Sequence, residues 1–207
     1  MLKLLLRKLF FDNRCSLCEG YLSNEGYLCS KCFTKLEKMS ELKQRGKLYY
    51  LYYYTDVKKI IFDFKFKNRK NIAETLHVFI KKSIEKIVEK EKVDAIISIP
   101  ISRNRFLERG YNQVDELLEK SGIRFIKIKR IKDTKYMYKI KSSVEREKNM
   151  KNAFQLVGDY SNKTILIVDD IVTTGATLKE LQRELEEEYK VKKVVFFTLA
   201  AVRECFK

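Results

Sequence analysis

Apolar residues recur along this chain in two periods, and each period marks a different element. Between Asn71 and Lys90, Ile72, Leu76, Phe79, Ile80, Ile84, Ile87 and Val88 return at helical spacing among lysines and glutamates, which predicts a long amphipathic helix. A helical pattern already begins near Val57, after the aromatic run KLYYLYYYT (47–55), whose composition predicts a strand or hairpin. Short apolar runs follow. VDAIISI (93–99), ended by Pro100, and TILIV (164–168) have the nearly continuous character of strands buried on both faces of a parallel sheet. RFIKIK (124–129), FQLV (154–157) and VVFFTLA (194–200) also read as strands, and helices are predicted from Asn112 to Lys120 and from Ala176 to Tyr189. Alternating strands and helices predict an α/β domain around a mainly parallel sheet. Ligands of such folds bind at the carboxyl ends of strands, which singles out two loops, 100–112 and 169–177. His77 falls on the long helix and reads as a structural residue.

At 207 residues and 45% hydrophobic side chains, the chain can bury one main core with room for a small appendage. Its start, MLKLLLRKLFF, is apolar but broken by Lys3, Arg7 and Lys8, so no run approaches the roughly 20 residues of a membrane span. No small-residue cleavage site follows it. The expected location is cytoplasmic, with the first segment packed on its own protein; a position peripheral to the inner face of a membrane is the alternative. A formal charge of +16 suits polyanionic partners, although only 12 of the 44 basic residues are arginine and the Lys, Ile, Asn, Tyr and Phe usage fits an AT-rich genome. Residues 127–151 concentrate the excess, with ten basic residues against Asp133, Glu145 and Glu147. Nucleic-acid contacts and a solvated basic loop both account for that segment.

Four of five cysteines form a C-x2-C-x10-C-x2-C box: Cys15, Cys18, Cys29 and Cys32. Two such knuckles bring four thiolates to the corners of a tetrahedron, the geometry of a closed structural Zn²⁺ site. Glycines at 20 and 26 are expected to ease the turns between them. A disulfide framework is the competing explanation, favoured less because nothing points to secretion. Cys205 reads as a free, inert thiol.

The most informative stretch is ILIVDDIVTTGAT (165–177). Thr173, Thr174, Gly175, Ala176 and Thr177 lie between a strand and a helix, where free backbone N–H groups favour a phosphate. Asp169 and Asp170 would repel that phosphate, so their natural targets are sugar hydroxyls, which they can accept. A phosphate on one side and hydroxyls on the other describes a ribose 5-phosphate. No G-x-x-x-x-G-K-[ST] occurs anywhere, which removes the P-loop reading of an apolar strand followed by acids.

ILIVDDIVTTGAT resembles the phosphoribosyl diphosphate (PRPP) binding motif of type I phosphoribosyltransferases. The chain as a whole resembles the ComF family of competence-associated proteins, through the cysteine box, IPISRNRFLERGYNQ (99–113), SSVEREKNMKNAF (142–154) and the PRPP motif, in that order. The resemblance implies a type I phosphoribosyltransferase-like parallel sheet flanked by helices (41–207), preceded by an N-terminal segment and a small four-cysteine zinc ribbon (1–40). It further implies that the first loop, with Ile101, Ser102, Arg103, Arg105 and Arg109, binds the pyrophosphate end of PRPP together with Mg²⁺. Arginine's planar donors suit phosphate oxygens, and surface ion pairing is the alternative for each of the three. Arg109, Gly110, Asn112 and Gln113 match an RGxNQ-like signature, in which Arg109 and Gln113 are read as local organisers or ligand contacts. Arg146 and Asn149 match an Arg-x-x-Asn segment near the mobile hood. The chain departs from the family at Tyr138, where a glutamine is expected, at Lys141, usually apolar, and in lacking a proline before the first cysteine.

Two functions follow from the resemblance. One is a DNA-uptake factor that binds PRPP, handles single-stranded DNA and works with a ComFA-like competence helicase. Its candidate nucleic-acid contacts are Lys129, Arg130, Lys132, Lys135, Tyr136, Tyr138 and Lys139, where cations alternate with aromatic rings. The other is an active phosphoribosyltransferase of nucleotide metabolism or salvage with no DNA role. The motif names the PRPP half of a site and no acceptor pocket or catalytic residue, so turnover, and self-association into a homodimer, stay open.

Overall fold

The computed structural model describes residues 14–22, 26–67, 69–130 and 154–203. A six-stranded sheet forms the centre. Its strands are β1 (Lys43–Arg45), β2 (Leu48–Tyr53), β3 (Ala95–Ser98), β4 (Ile126–Lys127), β7 (Thr164–Val172) and β8 (Lys193–Ala201), in the spatial order β1-β2-β8-β7-β3-β4. All neighbours are parallel except β1 and β2, a hairpin closed at Gly46 with φ +58°; of the strand or hairpin expected at 47–55, the run supplies the single strand β2, and its partner β1 lies before it. The helices are α1 (Ser30–Met39), α2 (Tyr54–Phe66), α3 (Ile72–Glu91), α4 (Arg103–Arg109), α5 (Gln113–Lys120) and α6 (Ala176–Glu187). The RFIKIK run divides between sheets: β4 edges the main sheet, whereas β5 (Lys129–Arg130) pairs antiparallel with β6 (Phe154–Gln155).

The apolar runs read as two-face strands are buried on both faces. Along β7, Ile165 and Ile167 join one hydrophobic cluster with Leu178, Leu181 and Leu185 of α6, while Leu166 and Val168 join another with α2, α3 and α5. β8 alternates in the same way, Val194 and Phe196 against Val195, Phe197 and Leu199. The period of two in a strand sends successive side chains to opposite layers, so one apolar run binds both. Each such side chain, fully buried, stabilises the fold by about 1.5–3 kcal/mol. The amphipathic 72–91 helix lies with Ile72, Leu76, Ile80, Ile84 and Ile87 inward.

The cysteine box packs into the second cluster through Cys15, Leu22, Leu28, Cys32 and Leu36. Buried Arg69 ties it to α2, donating from Nη1 to the Ser16 hydroxyl at 2.8 Å and to Asp63 Oδ2 at 2.8 Å. The Tyr52 hydroxyl donates to the Leu36 carbonyl at 3.2 Å, linking the sheet to α1. Among the described residues no helix is long and apolar enough to cross a membrane.

Two boundaries differ from the sequence reading in ways that matter. β7 does not end at Val168; it continues to Val172, because Asp169, Ile171 and Val172 keep pairing with Thr198, Ala200 and Ala201 of β8. The 100–112 segment is not a loop throughout: α4 occupies its middle, started by Ser102, whose hydroxyl accepts from Arg105 N–H at 3.4 Å, and stopped by Gly110 at φ +76°. The last helix ends at Glu187, two residues short of Tyr189. Helix α1 was not foreseen, since the spacing of cysteines dominates the pattern there.

Candidate functional site

β3 and β7 are hydrogen-bonded neighbours, and their connections diverge. From β3 the chain passes through α4 and α5 to β4 on one side; from β7 it passes through α6 to β8 on the other. Such a reversal opens a crevice at the carboxyl ends of the two strands. Ile99 N–H reaches the Val168 carbonyl at 2.9 Å, so the two expected binding segments begin side by side, the second still paired to β8 as far as Val172. Asn112 reinforces this: its amide donates to the Ile99 carbonyl at 2.9 Å while its side-chain oxygen accepts from Val114 N–H at 3.0 Å and caps α5.

Asp169 and Asp170 therefore sit on strand rather than loop, at the mouth of the crevice. Burial, then the neighbouring Asp170 charge, pushes the Asp169 carboxyl up to about 7. Opposing these, Asp170 N–H donates to Asp169 Oδ1 at 2.7 Å, and the charges of Lys65 and Arg105 act in the same direction. Asp170 is buried and is gripped by Lys65, whose ammonium lies 2.9 Å from Oδ1 and 2.8 Å from Oδ2. Lys65 was missed by sequence reading. The faint signal was a charged residue between Phe64 and Phe66 in a helix that buries Phe64.

Beyond β7, Thr173, Thr174, Gly175 and Thr177 line a small polar hollow with Asp169. Gly175 takes φ +71°, a left-handed turn that only glycine adopts without strain, and starts α6 directly behind it. No side chain caps α6, so helix geometry leaves its first N–H groups, from Ala176 onward, without acceptors inside the helix. Free N–H groups at a helix start can hold an anion.

The arginines separate. Arg103 and Arg105 are exposed on α4, and Ile101 half-buried before it. Arg109 turns inward, where Nη1 donates to Gln113 Oε1 at 2.9 Å and the guanidinium lies over the Phe66 ring at 5.2 Å. Arg109 Nε and the Gln113 amide nitrogen are buried and unpaired. Burial, with a smaller contribution from Arg105, lowers the Arg109 pKa, and Asp170 partly offsets this. With Lys65, Glu108 and Tyr111, Arg109 and Phe66 line a hollow of about 110 Å³. A larger hollow, about 560 Å³ between the cysteine box and α2, holds none of the expected site residues other than Cys15.

The four thiols of the cysteine box are free, and all lie within 4.8 Å of one another. Cys18 and Cys29 sulfurs are 3.8 Å apart, the edge of a tetrahedron with ~2.3 Å metal–sulfur bonds, so the donor set fits zinc. Burial would raise the Cys15 pKa, but backbone N–H donors of Cys18, Cys29 and Leu17 outweigh it and bring the thiol down to about 7, whereas burial and the neighbouring cysteines push Cys32 up, as expected when four thiols share one site without a cation. The left-handed residue of the first knuckle is Glu19, at φ +63°, rather than Gly20. Gly20 instead lets the backbone approach Cys18 Sγ, which an added Cβ would meet at 3.4 Å.

Of the candidate nucleic-acid residues, Lys129 and Arg130 form β5 beside β6. Lys132, Lys135, Tyr136, Tyr138 and Lys139 lie outside the described residues, as do Lys141, Arg146, Asn149 and Cys205.

The family model described as "Phosphoribosyl transferase domain" matches residues 68–207. Competence protein F of Haemophilus influenzae is 29% identical over 196 residues, covering 84% of this chain and 84% of that protein. Competence protein ComFC of Streptococcus pneumoniae is 30% identical over 48% of this chain and 45% of its own length. DNA utilization protein YhgH of Escherichia coli K12 is 29% identical over 61% of this chain and 59% of its own. Among solved structures, adenine phosphoribosyltransferase from Leishmania tarentolae superposes with a TM-score of 0.44 at 11% identity, covering 80% of this chain and 98% of that one.

Proposed function

The chain belongs to the phosphoribosyl transferase domain family and is a homologue of competence protein F, and from that premise we propose that its crevice binds PRPP. The observation that carries this reading is the order of groups along one strand end. Two adjacent carboxylates on β7 are followed, five residues on, by a left-handed glycine and then the uncapped start of α6. The turn receives the 5-phosphate through Thr173, Thr174, Gly175, Ala176 and Thr177, while Asp169 and Asp170 accept the ribose hydroxyls. The diphosphate lies toward the 99–113 segment, with Arg103, Arg105 and Arg109 as its cationic surroundings and Ile101 and Ser102 at its backbone. With Mg²⁺ bound alongside the ligand, charge on the diphosphate would be neutralised by the ion as well as by these arginines. Zn²⁺ in the box of Cys15, Cys18, Cys29 and Cys32 holds the N-terminal module together and leaves no open position for chemistry.

The relatives are named for competence and DNA utilization, and we carry that role to this chain: a PRPP-binding protein of DNA uptake whose macromolecular ligand is single-stranded DNA. The net charge of +16 supplies the attraction such a polyanion needs. The test of the PRPP site is calorimetric titration of PRPP and Mg²⁺ into zinc-loaded protein, beside the double variant Asp169→Asn/Asp170→Asn. Binding by the wild type alone supports the site; equal binding by both places PRPP elsewhere, and no binding by either rejects the reading.

A further inference from the structure

We propose that Lys65 is a positioning residue of the ribose site, whose ammonium fixes the orientation of the Asp170 carboxylate so that preference for an intact sugar diol depends on it. The inference rests on the reading of Asp169 and Asp170 as hydroxyl acceptors.

The geometry that carries it is the last turn of α2. Three consecutive residues there touch three different parts of the crevice: the Phe64 carbonyl accepts from the Tyr111 hydroxyl, Lys65 grips Asp170, and Phe66 lies under the Arg109 guanidinium. The α2 terminus is thus a third wall, beside the segments after β3 and β7. Lys65 reaches both oxygens of Asp170, at 2.9 and 2.8 Å, with only 16% and 12% of the two side chains exposed. Among the described residues it is the one cation within ion-pair distance of either carboxylate.

The site needs such a cation. Adjacent carboxylates in a partly desolvated cleft oppose each other's ionisation, and removing the partner of a buried charge leaves it uncompensated. A carboxylate without that partner is free to rotate and to turn its oxygens away from the position of a ligand's hydroxyls. An ionised carboxylate has about four lone-pair sites, so Lys65 can hold both oxygens and still leave positions facing a ligand. Arg105 and Arg109 exert longer-range influence, on Asp169 and Asp170 respectively, without pairing with them.

The experiment compares ribose 5-phosphate with 2-deoxyribose 5-phosphate by calorimetry on zinc-loaded wild type, Lys65→Met and Lys65→Arg, with thermal unfolding of each. The expected result is a wild-type preference for the ribose form and, in Lys65→Met, a roughly ten- to hundredfold loss of affinity for it with little change for the deoxy form. Lys65→Arg restores most of the preference. A wild-type preference that persists undiminished in Lys65→Met overturns the role of Lys65 while leaving the hydroxyl-acceptor reading intact. Equal wild-type affinity for both sugars, or none for either, instead overturns that reading and the proposal with it. If Lys65→Met unfolds, Lys65→Gln, which keeps a donor without the charge, provides the same comparison.

Discussion

Asp170 donates its backbone N–H to the side-chain Oδ1 of Asp169 at 2.7 Å, while its own carboxylate is held by Lys65. Burial and the neighbouring Asp170 charge nonetheless push the Asp169 carboxyl up to about 7 against an ordinary 3.8.

That shift sets a pH dependence. Below about 7 the free protein holds Asp169 protonated, so affinity for a ribose ligand should rise as pH increases from about 6 to 8. Titrations of PRPP across this range check it, with Asp169→Asn as reference because it shares the ligand's own protonation but has no titrating side chain at 169. The same shift acts oppositely on folding. Between 3.8 and about 7 the folded protein keeps a proton that the unfolded chain releases, so this group's contribution to stability falls as pH rises through that window. Denaturant melts at pH 5 and 7.5 should show the wild type losing more stability than Asp169→Asn.

Gly175→Ala forces a side chain into φ +71°. The added Cβ has room, meeting Val172 Cγ1 at 3.9 Å, so the cost is conformational: about 1–2 kcal/mol in thermal or denaturant unfolding. Because the same turn aims the α6 N–H groups, PRPP affinity should fall at least about tenfold, beyond the small change in stability.

Asn112→Ala removes both a helix cap and the bond to the Ile99 carbonyl. Destabilisation of about 1–3 kcal/mol is expected, read from denaturant midpoints, since a buried carbonyl loses its donor. Asn112→Asp, which keeps the cap but cannot donate to Ile99 when ionised, should recover only part of it.

Metal analysis of gently purified protein should find about one zinc per chain. Cys32→Ser, in the buried arm of the box, should lower the melting temperature by about 10 °C or more, because Cys32 and Leu36 belong to the same core as α2 and α3. A chelator should have the same effect on the wild type and little on the variant.

Binding of a single-stranded oligonucleotide, measured by fluorescence anisotropy, should weaken steeply between roughly 50 and 200 mM salt, as counterion release requires. Affinity that holds constant over that range would argue against an electrostatic DNA surface.

Much of this protein was written locally. The period-two burial of β7 and β8, the helical stripe of α3, the cysteine spacing and the order Asp169, Asp170, Thr173, Thr174, Gly175 are properties of neighbouring residues, and neighbours in sequence meet whatever the rest of the chain does. Where β7 ends was not written that way: Asp169 and Asp170 extend the strand because β8 offers ladder partners as far as Ala201. Nor was the third wall of the crevice. Lys65 is one lysine among many by composition, and it acquires a partner 105 residues away only because the sheet places β7 beside the end of α2. The sequence by itself determined most of the strands and helices and the glycine turn after β7; the tertiary structure alone decided which cation faces Asp170 and which arginine turns inward, since long-range pairing depends on the packed positions of whole elements.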